Sequence, residues 1–437
     1  MSPELVGFAG IGLLLGMLAL RVPVAVAMFL VGLGGIAILR NETVALSYLA
    51  SESFSLGSSA DLLVIPLFIL MGNVATETGL SRKLYEAAYA WIGHWRGGLA
   101  SATVIGSGGF AALSGSSVAS ALTMGRVSLK EMDRFGYSPR LSCGAVAAGG
   151  TLGILIPPST GFVLYAILTQ QSIGRLFLAG VIPGLLLMAL FILVIMLVTT
   201  LRPEQGPKGP VSTWSMRATA TVGALPLIIL VLITIGGIYG GIFSVTEAAG
   251  VGAFLAIAYG FATRTLGLAS FGRALRDSVS TTSVVMLILI AAHVFGPFLA
   301  LSHVPTLVGE ALTSLPVGPY GVLLLILLTY LVLGCFMEGY AMLVLTMPIF
   351  FPVITALGFD PIWFGVVVVV MLEMGLITPP VGINCFIVKS VAPRVELAEI
   401  FRGVLPFLAA MVALITLLIA VPDLALFLPN TMMGVAQ

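Results

Sequence analysis

The chain has 437 residues, of which 59% are hydrophobic and only 8% are charged, with a formal net charge of +1 at pH 7. Ordinary soluble domains carry about 25% charged residues, so this composition excludes a soluble globular protein and indicates a polytopic membrane protein. The near-zero charge also argues against a nucleic-acid partner, because phosphate binding needs a basic face. A spanning helix needs about 20 apolar residues, and the apolar runs predict ten or more membrane passes.

The first half of the chain, residues 1–210, ends with a linker rich in Pro and Gly at Arg202–Pro210. Apolar residues recur at helical spacing among charged ones over residues 80–96, which predicts an amphipathic helix along the membrane interface. In chain order we predict spans at about 4–20, 22–39 and 61–75, then this interfacial helix, a hairpin over 98–125, a basic polar loop over 126–140, a broken helix over 141–170 and a long span over 177–201.

The second half, residues 211–437, shows the same kinds of element in a similar order. We predict spans at about 218–238, 245–262 and 279–299, a basic amphipathic segment over 264–276, a hairpin over about 319–347, a broken helix over about 361–388 and a last span over about 404–421.

Two apolar runs contain adjacent prolines where a spanning helix should be continuous: Gly153–Ser159 holds Pro157-Pro158, and Gly375–Val381 holds Pro379-Pro380. Proline lacks an N–H and clashes with the preceding turn, and the residue before it leaves the helical region. Carbonyls freed in this way are tolerated at membrane depth only beside protein, a cavity or an ion. A pair of such broken spans in corresponding positions indicates the binding site of a transporter.

A polar, flexible stretch, Leu113-Ser-Gly-Ser-Ser117, interrupts the apolar run over residues 98–125. Such residues are unfavourable in a straight span and suit the tip of a re-entrant hairpin sheathed in protein. The alternative is a helix-packing face made of small residues. Both flanking loops are basic, as expected for a segment that enters and leaves on one side, and this favours the hairpin.

Several motifs recur in the two halves at one offset. Gly136 and Gly358 begin similar Gly-x-x-Pro motifs 222 residues apart, and Pro157 and Pro379 share that separation. The serine-rich tip falls at the same offset on Phe336–Gly339. A shared offset over several motifs indicates an internal repeat.

The distribution of basic residues predicts that the two repeats are inverted. From Asp277 to Val388 the second half has no Lys or Arg. By the positive-inside rule, the first hairpin opens toward the cytoplasm and the second toward the outside. We therefore predict an all-α polytopic membrane protein with two inverted repeats, each with a re-entrant hairpin and a proline-broken helix. The loops flanking the first hairpin carry seven basic residues: Arg82, Lys83, Arg96, Arg126, Lys130, Arg134 and Arg140.

These motifs resemble those of the large membrane subunit of tripartite ATP-independent periplasmic (TRAP) transporters, of the dicarboxylate/sialic-acid type. The resemblance implies an elevator-type, sodium-driven symporter in the bacterial inner membrane that imports a carboxylate. It also implies two separate partner chains, a small four-helix membrane subunit and a periplasmic substrate-binding protein. The segments that carry it are Leu113–Ser117, Gly153–Ser159, Thr246-Glu-Ala-Ala249 and Gly375–Asn384.

The resemblance further implies two sodium sites and a substrate site between them. One departure is Glu338, where the family often has an aspartate at the second hairpin tip. By residue, the first sodium site takes Ser114, Ser116, Gly153, Ile156 and Pro158; the second takes Gly334, Gly375, Thr378 and Val381; the substrate lies near Ser117, Ser159, Glu338 and Asn384.

The chemistry of these residues agrees with that assignment. Unwound carbonyls and hydroxyls supply the oxygen ligands that suit sodium, and half-helix N-termini favour an anionic solute without an arginine. No cofactor and no metal other than Na⁺ is expected. Glu373 is an intramembrane acid, for which a functional role and a helix-terminus packing role stay equally open. Glu247 is interpreted as a helix cap.

Three other functions compete with the interpretation as a TRAP transporter subunit. A stand-alone sodium/anion symporter of a related inverted-repeat fold is the main alternative, and only the family motifs separate it from the first interpretation. An intramembrane enzyme is disfavoured because the sequence has no HExxH, GxSxG or Walker A motif. A purely structural subunit has no need for two broken helices with matching hairpin tips. The particular carboxylate is not determined by the sequence.

Overall fold

The structure, a computed structural model, describes residues 2–433, so Met1 of the predicted first half and residues 434–437 of the second lie outside it. The described chain is helical, with no strand. Its helices are α1 Pro3–Ala19, α2 Val24–Leu39, α3 Glu42–Ser58, α4 Val64–Glu77, α5 Leu80–Ile92, α6 Gly98–Ser114, α7 Ser117–Arg134, α8 Pro139–Gly150, α9 Leu152–Leu155, α10 Thr160–Thr169, α11 Ile173–Leu201, α12 Trp214–Tyr239, α13 Val245–Ala262, α14 Leu268–Leu301, α15 Val304–Thr313, α16 Gly318–Gly334, α17 Gly339–Ala356, α18 Pro361–Gly375, α19 Ile383–Val391, α20 Leu397–Ala420 and α21 Asp423–Met432.

Fewer helices than expected are long enough to cross a bilayer. Within the described residues seven are long and apolar enough, and the bent pair of α8–α9 with α10, at 41°, makes an eighth. Five further apolar helices are shorter, among them α6, α16 and α18. These three are short because each stops at a hairpin tip or at a helix break, part-way along the run of apolar sequence. The chain is thus a multi-pass membrane protein that also contains interrupted helices.

Two polar segments are more regular than the sequence suggested. The prediction of a loop over 126–140 is wrong, because α7 continues to Arg134 and only residues 135–138 lie outside helices. The helix persists because it buries Ser128 and Met132 on one face while its charged residues stay exposed or half-buried on the others. Most of the basic segment over 264–276 is also helical. From Leu268 onward it forms the start of α14, a single helix of 34 residues.

The recurring motifs adopt the same local structure in both halves. Gly136 and Gly358 have φ values of +72° and +82°, which favour glycine because it has no Cβ. Pro139 and Pro361 then stand at the first position of α8 and α18, where a missing N–H costs nothing. The Pro-Pro bonds at both breaks are cis.

The helices pack in two groups. In the first, here called the frame group, α2 packs along α14, α4 contacts α13 and α14, and α12 contacts α13 and α5. In the second, the core group, α8 packs against α20, α7 and α6, and α18 contacts α16 and α11. The core group holds the most buried helices, since every residue from Ile362 to Gly375 of α18 is buried. Both groups draw helices from both halves of the chain.

Candidate functional site

The first hairpin tip lies directly on the first broken helix. Gly115 ends α6 in the left-handed conformation, with φ of +55°. Its carbonyl accepts a 2.7 Å hydrogen bond from Thr160 Oγ1 at the start of α10. A Cβ on Gly153 would lie 2.6 Å from backbone atoms of Ser116. Only a residue without a side chain permits this approach, so the glycine at 153 explains why tip and break can touch.

The residues implied for the first sodium site are gathered around this contact. Ser114 is buried at the end of α6, and Ser116 caps α7 by accepting a 3.3 Å hydrogen bond from the Ala119 N–H. The Gly153 carbonyl has no N–H to accept four residues on, because that position is a proline. Carbonyl and hydroxyl oxygens of these kinds are ligands that fit a hard cation such as Na⁺.

Ile156 and Pro158 lie in the unwound segment itself. Ile156 has left the helix, with φ of −83° and ψ of 121°. The carbonyl oxygen of Pro158 faces Gly115, at 2.9 Å from where a Cβ of that glycine would stand. The break therefore presents backbone oxygen toward the hairpin tip.

The second half repeats this arrangement with different residues. Gly334 at the end of α16 and Gly375 at the end of α18 approach so closely that a Cβ on either would lie under 3 Å from the other's Cα. Both residues are buried. The second hairpin tip and the second break are thus in backbone contact, as the first pair is.

The other two residues implied for the second sodium site lie along the second break. Thr378 donates a 2.6 Å hydrogen bond from Oγ1 to the Met374 carbonyl, so the hydroxyl oxygen retains lone pairs for a cation. Val381 lies further along the break, and its side chain is exposed. The structure brings Gly334 and Gly375 together and places Thr378 three residues beyond Gly375.

Only two of the four residues implied for the substrate line the same cavity. Ser117 and Glu338 line one small cavity between the two hairpin tips and the two broken helices. Ser159 is buried beside it and caps α10 while donating to the Ile154 carbonyl. Asn384 is buried on α19 and donates a 3.4 Å hydrogen bond to the Ala147 carbonyl. Ser159 and Asn384 do not line the cavity.

The cavity is too small for an organic acid. Its volume is about 60 Å³, whereas pockets for small-molecule ligands usually measure about 300–1,000 Å³. The N-terminal ends of α7 and α17 reach it, and no Lys or Arg lines it. A larger solute therefore needs more space than the cavity offers in this conformation. The residues around the cavity are Ser116, Ser117, Val118, Ile154, Glu338, Gly339, Tyr340, Leu372, Glu373, Leu376 and Ile383.

Comparison with known proteins identifies the family. Residues 11–424 match the family described as "Tripartite ATP-independent periplasmic transporter, DctM component". A C4-dicarboxylate TRAP transporter large permease protein from Pseudomonas aeruginosa is 38% identical over 399 residues, 91% of this chain and 92% of that protein. The chain belongs to this family. A sialic acid TRAP transporter large permease protein from Vibrio cholerae is 32% identical and aligns over 97% of this chain and 98% of its own length.

The fold of this TRAP permease has a solved counterpart. The YdaH transporter of Alcanivorax borkumensis superposes with a TM-score of 0.57 at 17% identity, covering 86% of this chain and 88% of that one. At that identity the similarity shows the fold alone. Family membership makes the chain a transporter permease rather than an enzyme, located in the bacterial inner membrane.

Glu373 is the residue of this TRAP permease whose role the sequence left undecided. It is fully buried on α18 and lines the cavity. Its Oε1 accepts a 2.6 Å hydrogen bond from the Ser117 Oγ, and its Oε2 has no hydrogen-bond partner among the described residues. The carboxylate faces the cavity instead of being satisfied by neighbouring amides, which favours the functional interpretation.

Tyr340 and Thr160 were not singled out from the sequence. The Tyr340 hydroxyl is hydrogen-bonded to Thr160 Oγ1, which joins the start of α17 to the start of α10. Tyr340 also lines the cavity. The only signal in the sequence was position: Tyr340 lies two residues after Glu338 of the second hairpin tip, and Thr160 directly follows Ser159 of the first helix break.

Glu247 is confirmed as a helix cap. Its carboxylate accepts a 2.8 Å hydrogen bond from the Ser244 N–H, and Ser244 Oγ accepts one of 3.2 Å from the Glu247 N–H. This is a reciprocal capping box. Over the part of the chain that is described, no three His, Cys, Asp or Glu residues cluster as a metal site would require.

Proposed function

We propose that this chain is the large permease subunit of a sodium-driven secondary transporter that imports an organic acid delivered by a periplasmic binding protein. The observation that carries the proposal is the double contact between hairpin tips and broken helices, at Gly153 with Ser116 and at Gly334 with Gly375. Broken helices paired in this way place ion and solute sites at the centre of a transporter.

Sodium as the coupling ion is supported by the chemistry of the two contacts. Ser114, Ser116 and the freed carbonyl of Gly153 supply oxygen ligands in the first half, and the hydroxyl of Thr378 supplies one in the second. Such a set suits a hard monovalent cation, because carbonyl and hydroxyl oxygens coordinate it without a cluster of buried acids.

A carboxylate solute is supported by the helix ends at the cavity. The N-terminal ends of α7 and α17 carry partial positive charge and adjoin Ser117 and Gly339. Two of the relatives are named for C4-dicarboxylate and sialic acid, which are both carboxylates, and a third is named for isethionate, which is also an organic acid. Glu338 and Glu373 oppose an anion at the same place, so anion binding requires cations nearby. This requirement couples solute binding to sodium binding.

An elevator motion is the movement that best suits the two packing groups. The core group contains the first hairpin with α16 of the second, and α8 and α18 of the two broken helices, whereas the frame group contains α2, α4 and α12–α14. Movement of the core group past the frame group would carry the site across the membrane. Charged contacts between the groups are then expected to be sparse.

A transporter of the tripartite family has two components besides the large permease. We assign two further components, a small four-helix membrane subunit and a periplasmic substrate-binding protein. Trp91 of α5 and Trp214 of α12 are exposed and pack edge to face, with the Arg217 guanidinium 5.5 and 5.2 Å from the two rings.

The decisive experiment is solute uptake in proteoliposomes. The chain is reconstituted with its small membrane subunit, and organic acids are offered with each candidate binding protein, with or without an inward sodium gradient. Uptake that needs both sodium and the binding protein is expected. Uptake with sodium alone would make the chain part of a stand-alone symporter. Uptake indifferent to sodium would remove both sodium sites.

A further inference from the structure

The cavity between the hairpin tips contains a buried carboxylate with no positive partner. Glu373 is fully buried, Ser117 Oγ donates to only one of its oxygens, and Oε2 has no hydrogen-bond partner among the described residues. No Lys, Arg or His lines the cavity. An ionised carboxylate buried in this way is strongly destabilising unless a positive charge compensates it.

A second carboxylate faces the same cavity. Glu338 caps α17, accepting a 3.4 Å hydrogen bond from the Ala341 N–H, and its side chain is exposed. The cavity therefore has one acid at its base and one at its accessible side. An incoming cation meets Glu338 first and Glu373 last, and both acids favour its entry.

The size and chemistry of the cavity restrict what that cation can be. A volume of about 60 Å³ has room for only a few water molecules, which is too little for an organic ammonium group with a large carbon skeleton. Two carboxylates and a serine hydroxyl are hard oxygen ligands. Zinc, copper and nickel prefer nitrogen or sulfur donors, and neither His nor Cys lines the cavity. A partly hydrated alkali cation satisfies each of these conditions.

We infer that Glu373, Glu338 and Ser117 form a third sodium site, distinct from the two formed around the proline breaks. None of the residues assigned to those two sites contributes a carboxylate, whereas this site is built on two. The inference rests on sodium being the coupling ion of the proposed function. Because Ser117 belongs to α7 and Glu373 to α18, a cation here links the two halves of the chain and offsets the acids that would repel an anionic solute.

The test counts sodium ions on the intact complex. Binding of radioactive ²²Na⁺ to the purified permease with its small subunit is measured to saturation, for the wild type and for Glu373→Gln. This substitution keeps the shape of the side chain and removes its charge. We expect the variant to bind one sodium ion fewer per complex. Equal saturation values for the two proteins would overturn the inference.

Two further variants keep the test informative if Glu373→Gln does not fold. Glu338→Gln alters the accessible acid and should raise the sodium Kd of one site class by about tenfold, the effect of about 1.4 kcal/mol, while leaving the others unchanged. Glu247→Gln removes an acid of the distant capping box and should leave all sodium binding as in the wild type. Identical Kd values for Glu338→Gln and the wild type would also contradict the site.

The number of sodium ions bound per complex distinguishes failure of this inference from failure of the proposed function. If the two sites at the breaks do not exist, the wild type binds one sodium ion and Glu373→Gln binds none. If they exist and the third does not, both proteins bind two. If all three exist, the counts are three and two.

Discussion

The close contact at Gly153 gives the sharpest prediction. In Gly153→Ala the added Cβ would lie 2.6 Å from the backbone carbon and oxygen of Ser116, a distance that requires the backbone of the hairpin tip to move. Overpacking of this kind costs about 1–3 kcal/mol, against a gain of at most about 1 kcal/mol from replacing a helical glycine with alanine. The net cost lies between about 0 and 3 kcal/mol, and we take the middle of that range, about 1–2 kcal/mol, as the cost to the conformation in which the hairpin tip and the helix break share a cation.

We therefore expect the sodium concentration for half-maximal uptake to rise about 5- to 30-fold in Gly153→Ala, by the usual conversion of free energy to affinity. The assay is a sodium-activation curve in proteoliposomes at saturating solute, after size-exclusion chromatography has shown that the variant folds. Gly34→Ala is the matched control, because a Cβ on Gly34 in α2 meets no atom within 4 Å. A Gly153→Ala curve that superimposes on the wild type would refute the proposed contact between tip and ion.

Three smaller changes test other contacts. Thr378→Val removes the hydroxyl bonded to Met374 and should weaken sodium activation several-fold, with Thr378→Ser close to the wild type; equal curves would exclude the hydroxyl as a ligand. Tyr340→Phe breaks the link to Thr160 and should destabilise the protein by about 1 kcal/mol, seen as a lower Tm. Ser244→Ala removes a helix cap and should also cost about 1 kcal/mol, but with unchanged sodium activation, which separates a structural role from an ion-binding one.

The transport cycle has to widen the small cavity between the hairpin tips. Tyr340 joins the start of α17 to α10 through Thr160, and Glu373 joins α18 to Ser117. Both contacts cross between the two halves of the chain. We expect entry of a solute larger than the 60 Å³ cavity to break at least one of them, which makes these two hydrogen bonds the expected points of separation.

Local chemistry made the helix breaks predictable. Proline has no N–H, so the carbonyls four residues before Pro157 and Pro379 lose their intrahelical partners whatever surrounds them. The glycines at 136 and 358 are likewise fixed locally, because their φ values are positive. The limits of α7 were not predictable in this way. Its many charged residues are typical of a loop in sequence. The helix nevertheless continues to Arg134, because burial of Met132 stabilises it more than the polar composition disfavours it.

The sequence by itself determined the membrane class, the two broken helices and the repeat that relates them, because hydropathy, proline chemistry and a constant offset act within short segments. Tertiary structure alone decided which residues meet. Ser117 and Glu373 are 256 positions apart, and nothing near either residue in the sequence indicates the other. Their contact depends on the packing of α7 against the helices of the second half. For that reason the composition of the cavity, with two acids and no base, was revealed only by the structure.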